Sequence, residues 1–196
     1  MNFLAHILLS GDKEKMVIGN FIGDFVKGKQ IENYEKEIKN GILLHREIDS
    51  FTDDHPIVLE SKKRLWDRFH HYAAIVVDVF YDHFLATNWE EYKKTSLLKF
   101  TEDFYGMTKS YHGVIPERAK KMLFYMERDN WLYSYRLVDG IQNVLTGMSR
   151  RTKFESGMEN AHVELRNHYH EFQSEFNDFF PQLMKHSNDF ISTLDP

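Results

Sequence analysis

Apolar residues recur every three or four positions along most of this chain, and no stretch alternates apolar and polar with period two. That spacing predicts helices and argues against strands. Leu4, Ile7 and Leu8 predict a short first helix, and residues 16–26 a second, with Gly28 as its stop. Residues 34 to about 51 predict a third, with Ile38, Ile42, His45 and Ile48 on one face. Asp54-His55-Pro56 marks the start of a fourth, since proline is tolerated in a first helical turn. Residues 73–85, AAIVVDVFYDHFL, are apolar on nearly every side and predict a helix buried all round. Further helices are expected over residues 89–111, 116 to about 135, 139–148 and 157–180. The last ends before Pro181, with a turn or two more up to Leu194. No repeat or Ser/Gly-rich linker divides the chain, so a single all-helical domain over residues 1–196 is the economical expectation.

The buried segment carries Asp78, Asp82 and His83. An ionised carboxylate in a core is normally paired, neutralised or bound to a metal. A divalent cation would satisfy both acids; so would a structural partner such as Arg46 or Arg136. At about 100° per residue, Asp78 and Asp82 lie about 40° apart around the axis and His83 about 140° from Asp78. Asp78 is therefore the better ligand candidate, while Asp82 or His83 supports the site or acts on substrate. His45 and Asp49, four apart, share the inward face of the third helix. Asp24 stands among glycines in GNFIGDFVKG, which allow close backbone approach. His6 sits on the apolar first helix. Together His6, Asp24, His45 and Asp78 offer mixed imidazole and carboxylate donors, suited to Mn²⁺, Fe²⁺ or Zn²⁺ better than to Ca²⁺. The competing reading is plainer: a core histidine at His6 and a helix-surface pair at His45–Asp49.

Charge and composition narrow the classes. With 42% hydrophobic and 15% aromatic residues, the chain has ample material for a core and is not expected to be disordered. A net charge of −5 argues against a general nucleic-acid binder. Without cysteine there is no disulfide, thiolate zinc site or cysteine nucleophile. The first residues lack a basic region and a cleavage site, and no run reaches membrane length, so a cytoplasmic protein without membrane contact is expected. Two basic clusters, Lys62-Lys63-Arg64 with Arg68 and Arg150-Arg151 with Lys153, are either solvated helix faces or a docking surface for an acidic partner or a phosphate.

NFLAH, GNFIGDFVKG, GILLHREIDSFTD, DVFYDHFL and YRLVDGIQNVLTGMSRR occur here in one order and spacing. In that combination, over residues 1 to about 158, the chain resembles the acyl carrier protein phosphodiesterase family. The resemblance implies hydrolysis of the phosphodiester linking 4′-phosphopantetheine to a serine of holo-acyl carrier protein, with dependence on a divalent metal, manganese preferred. It also implies a divergent relative of the all-helical HD-domain phosphohydrolases, and it carries His6, Asp24, His45, Asp49, Asp78, Asp82 and His83 as functional positions. The chain departs from an ordinary His-Asp pair, having Asp82-His83 in reversed order and His45-Arg46 instead. The expected metal ligands are then His6, Asp24, His45 and Asp78. Asp82, His83, Arg46 and Asp49 are the expected catalytic groups. A metal could lower the pKa of bound water, and Arg46 could stabilise the transition-state charge. The family's carrier protein is acidic and helical, so Lys62, Lys63, Arg64, Arg68, Arg150 and Arg151 become its expected docking residues. A nucleotide or other small phosphoester as substrate, or a non-catalytic carrier-binding protein, are the alternatives.

Overall fold

Helical periodicity and local end signals set the elements. The computed structural model describes residues 1–194, and among them are eleven α-helices and no strand. They are α1 (Phe3–Leu9), α2 (Glu14–Ile22), α3 (Lys36–Asp54), α4 (Pro56–Phe69), α5 (Ala73–Thr87), α6 (Leu97–Ser110), α7 (Glu117–Arg128), α8 (Trp131–Ser134), α9 (Val138–Ser149), α10 (Ala161–Asn167) and α11 (Tyr169–Leu194). The Asn2 side chain caps α1 on the Phe3 amide, and Ser96 caps α6 on the Lys99 amide. None of these helices is long and apolar enough to cross a membrane.

Several boundaries differ from the periodicity. The second helix stops at Ile22, and a 3-10 turn over Gly23–Phe25 follows. The helix expected over 89–111 is interrupted. Trp89–Glu91 forms a 3-10 turn, and the Trp89 indole donates to the Thr95 carbonyl at 2.7 Å, closing a loop before α6. Asn130 takes a left-handed backbone (φ 45°), which separates α7 from α8. The helix expected from 157 begins only at Ala161 and breaks at His168, and α11 then runs straight through Pro181. An interior proline costs about 3 kcal/mol. Phe176, Phe179, Phe180 and Leu183 are all fully buried around it, and at about 1.5–3 kcal/mol per buried side chain their packing outweighs the lost bond.

The all-apolar helix does lie at the centre. In α5, Val76, Val77, Val79, Phe80, Tyr81, Phe84 and Leu85 have no exposed surface, and α1, α4, α9 and α11 pack around it. α2 and α3 approach each other closely along their backbones. A Cβ on Gly19 would stand 2.1 Å from the Ile38 carbonyl oxygen, and one on Gly41 2.2 Å from the Met16 carbonyl oxygen. Only two glycines allow these backbones to touch, and the contact fixes α3 against the turn that holds Asp24. Gly41→Ala is therefore expected to lower the unfolding free energy by about 2–3 kcal/mol. Urea denaturation checks this, and an unchanged midpoint would contradict the backbone contact.

Candidate metal centre

His6, late in the short helix α1, and His45, midway along α3, face each other with their rings stacked at 4.2 Å. Both are buried. One carboxylate spans their edges: Asp49 Oδ1 lies 3.1 Å from His6 Nε2, and Asp49 Oδ2 lies 3.1 Å from His45 Nε2. Asp24, on the 3-10 turn after α2, brings Oδ1 to 3.5 Å from His45 Nε2. The turn can lie this close because residue 23 is glycine; a Cβ there would stand 2.3 Å from His45 Cγ.

His6 is held from behind by Asn20, a fully buried residue on α2. Asn20 Nδ2 donates to the His6 carbonyl (3.0 Å) and to Ser10 Oγ (2.8 Å), which leaves Asn20 Oδ1 to accept from His6 Nδ1 at 2.8 Å. With the proton on Nδ1, Nε2 of a neutral ring presents a lone pair. That lone pair faces only acceptors, the Asp49 carboxylate and the Met1 carbonyl at 3.2 Å. Acceptors converging on a lone pair call for a positive charge between them. Protonation is disfavoured, since burial and then the neighbouring His45 pull the His6 imidazole below its ordinary value.

Burial alone would lower His45 too, but its contacts with Asp24 and Asp49 outweigh that and raise it to about 9. Burial pushes the Asp49 carboxyl up, yet the two imidazoles reverse this and hold it well below the usual carboxylate range. Asp24 is held low chiefly by His45, against its own burial. His45 Nε2 nonetheless makes no well-aligned hydrogen bond with either acid, and His45 Nδ1 has no partner. Ligand atoms of His6, His45 and Asp49 lie within 4.8 Å of one another. Donors at about 2.0–2.2 Å from a metal are at most about 4.4 Å apart, so a small inward movement suffices. Spacing, orphaned nitrogen and donor chemistry all fit a first-row divalent cation.

The other expected site residues lie as follows. Asp78 Oδ1 accepts from the Met1 ammonium at 2.9 Å, and Asp78 is not in the triad. Burial raises its carboxyl, against the pull of that ammonium. Asp82 is fully buried and accepts from the amides of Leu4 (2.7 Å) and Ala5 (3.2 Å), two of the unpaired donors of the first turn of α1. Burial raises it to about 7 in spite of those amides. His83 points elsewhere in the core, with Nδ1 on the Tyr135 carbonyl (2.7 Å) and Nε2 on the Tyr169 hydroxyl (3.1 Å). Arg46 Nη2 donates to the Val26 carbonyl at 3.3 Å, and its side chain borders a cavity of about 270 Å³ shared with Asp24, His45 and Asp49. Neither Arg46 nor Arg136 neutralises Asp78 or Asp82. Asn20 was not singled out in the sequence, although an amide inside the apolar run MVIGNFI was its signal.

The family model described as acyl carrier protein phosphodiesterase matches residues 1–183. The chain belongs to that family. It is 32% identical over 186 residues to the acyl carrier protein phosphodiesterase of Photorhabdus laumondii, covering 94% of each chain. It is 30% identical over 190 residues to that of Serratia proteamaculans, covering 96% of this chain and 98% of the relative. It is 32% identical over 186 residues to that of Pectobacterium atrosepticum, covering 94% and 96%. No solved structure matches. The acyl carrier protein phosphodiesterase match takes in α1, α3 and α5 entire, and with them every residue of the triad.

Two outcomes are expected of the triad. His45 holds a proton at neutral pH and must lose it to ligate, so Mn²⁺ binding should release close to one proton and strengthen as pH rises from 7 toward 9. Calorimetry in buffers of different ionisation enthalpy checks this; binding with no proton release would contradict it. Asn20→Ala should weaken Mn²⁺ binding about 10–100-fold with the fold retained, as loss of a ligand-orienting partner does.

Proposed function

We propose that this protein hydrolyses the phosphodiester of holo-acyl carrier protein, releasing 4′-phosphopantetheine and the apo-carrier. The observation that carries the reading is the His6–His45–Asp49 cluster, opening through Asp49 and Asp24 onto cavities that hold cationic side chains. These three residues would hold a divalent cation, with Asp24 as a further donor. Manganese fits this donor set, and Fe²⁺ and Zn²⁺ compete for it. Such a cation supplies positive charge for the phosphoryl oxygens and lowers the pKa of a water.

The chain's own groups supply the rest. Arg46 borders the small cavity, where its guanidinium can pair with a phosphoryl oxygen. Arg151 borders the cavity of about 490 Å³ on the other side of Asp24 and Asp49. A phosphodiester held there would meet Arg46 and Arg151 beside the carboxylates of Asp24, Asp49, Asp53 and Asp78, so offsetting its charge falls to the bound cation together with the two guanidiniums. Asp24 is exposed at the mouth, where its carboxylate can accept a hydrogen bond from a water and orient it. Asp82 acts as a positioning residue: by binding the Leu4 and Ala5 amides it fixes α1, and through it His6. Asp78 works the same way through the Met1 amine. His83 ties α5 to Tyr135 and Tyr169. The proposed setting is the cytoplasm.

Incubation with holo-acyl carrier protein and Mn²⁺, followed by intact-mass measurement, tests the reading. The carrier should lose the phosphopantetheine mass, and His45→Ala or Asp49→Ala should slow that loss by at least about 100-fold. A carrier left intact by folded, metal-loaded protein would overturn it.

A further inference from the structure

The two basic clusters of the sequence fare differently in three dimensions. On α4, each cation has a carboxylate of the same chain within reach: Lys62 with Asp53 (2.7 Å), Lys63 with Glu60 (3.9 Å), Arg64 with Glu175 (2.6 Å) and Arg68 with Glu164 (2.6 Å). Arg64 is gripped by both Glu175 oxygens and lies over the Phe172 ring. Cations already paired in this way have little charge left for a partner. The α4 face is therefore the more charge-compensated of the two clusters.

Between α7, α8 and α9 runs a groove of about 950 Å³. Its lining includes Arg118, Lys121, Arg128, Arg150 and Arg151, against a single acid, Asp129. Arg128 pairs with Asp129 at 2.7 Å. The other four have no carboxylate partner among the described residues. On a protein of net charge −5, four uncompensated cations along one groove are a marked local reversal. Its floor is apolar, with Met122, Val144 and Trp131, and Tyr125 stands half-exposed on its wall. An apolar and aromatic centre rimmed by arginine is the make-up of a protein interface. A small phosphoester would call for cations converging on one point, whereas these are spread over α7 and the turn that follows α9.

The groove also borders the candidate metal site. Arg151 lines both it and the cavity that holds Asp24, Asp49 and Asp78, and Phe25, next to Asp24, lines the groove itself. An amphipathic acidic helix would match it, with apolar side chains toward Met122, Val144 and Trp131 and carboxylates toward the cationic rim.

We propose that this groove is the docking site for an acidic helical segment of the protein that bears the phosphodiester. The inference rests on the reading that the substrate is a carrier protein, and it adds Arg118 and Lys121, which the sequence did not single out, to Arg150 and Arg151.

The test uses Arg118→Glu/Lys121→Glu, two exposed positions outside the metal centre, with Lys63→Glu on α4 as the control. Binding of labelled holo-acyl carrier protein to the metal-free protein is followed by fluorescence anisotropy at several salt concentrations, and KM and kcat are measured with Mn²⁺. The double reversal should weaken binding at least about tenfold and flatten its salt dependence. KM should rise with kcat at saturating carrier nearly unchanged, and Mn²⁺ affinity and Lys63→Glu should match the parent. A double variant that binds and hydrolyses the carrier like the parent overturns the groove and leaves the proposed activity standing. A fall in kcat at unchanged KM, or parent protein that prefers an RNA oligonucleotide to the carrier, also overturns it. Carrier that binds through the groove but is never hydrolysed supports the docking site and removes the proposed activity instead.

Discussion

Two imidazoles, stacked at 4.2 Å and sharing one carboxylate, set the terms for the rest of this molecule. Buried polar rings are costly where a nitrogen lacks a partner; here three helices and a turn supply the neighbours, and the His45 nitrogens still make no well-aligned hydrogen bond. α1 must present His6, α3 must present His45 and Asp49, α2 must supply Asn20, and the turn after it must bring Asp24. Each requirement appears elsewhere in the fold as a local peculiarity. Gly19 and Gly41 let α2 and α3 touch backbone to backbone, and Gly23 leaves room for the His45 ring.

The acids of α5 show how the same surroundings give different roles to one residue type. Asp82 reaches the first-turn amides of α1, where unpaired donors and the positive end of a helix favour a negative charge. Asp78, one turn earlier, meets the Met1 ammonium. Both tie the beginning of the chain to the central helix. Only Asp82 is fully buried, while Asp78 is half-buried; both acids of this apolar helix are met by the amino-terminal segment, which also carries His6. The acids therefore bear on the metal centre through the backbone of α1.

Much of the architecture was legible along the chain. The 3.6-residue period gave the fold class, the all-apolar run marked α5, and His55-Pro56 marked the start of α4. The breaks at Asn130 and His168 and the passage through Pro181 were not legible, because tertiary packing decides them: four buried side chains of α11 outweigh one proline. The pool of site residues was readable too, since His6, Asp24, His45 and Asp49 are unusual polar groups on apolar faces. Which of them meet was not readable. Spacing within one helix favoured Asp78 as ligand and left Asp49 among the catalytic groups, whereas the meeting of α1 with α3 brings Asp49 between the imidazoles. Charge clusters show the same limit, since the α4 cations find their partners on α3, α4, α10 and α11.

The four cations of the groove lie beside the candidate metal site, and Arg151 also lines the larger cavity there. In the proposed reaction the half-buried cluster would act on the bond and the cationic groove would face the carrier. The central claim is that His6, His45 and Asp49 hold one cation. Anomalous diffraction from a crystal grown with Mn²⁺ tests it most directly. The account predicts one strong peak within about 2.3 Å of His6 Nε2, His45 Nε2 and an Asp49 oxygen. A peak at Asp78 and Asp53 instead, with the two imidazoles still bonded only to protein, would contradict it.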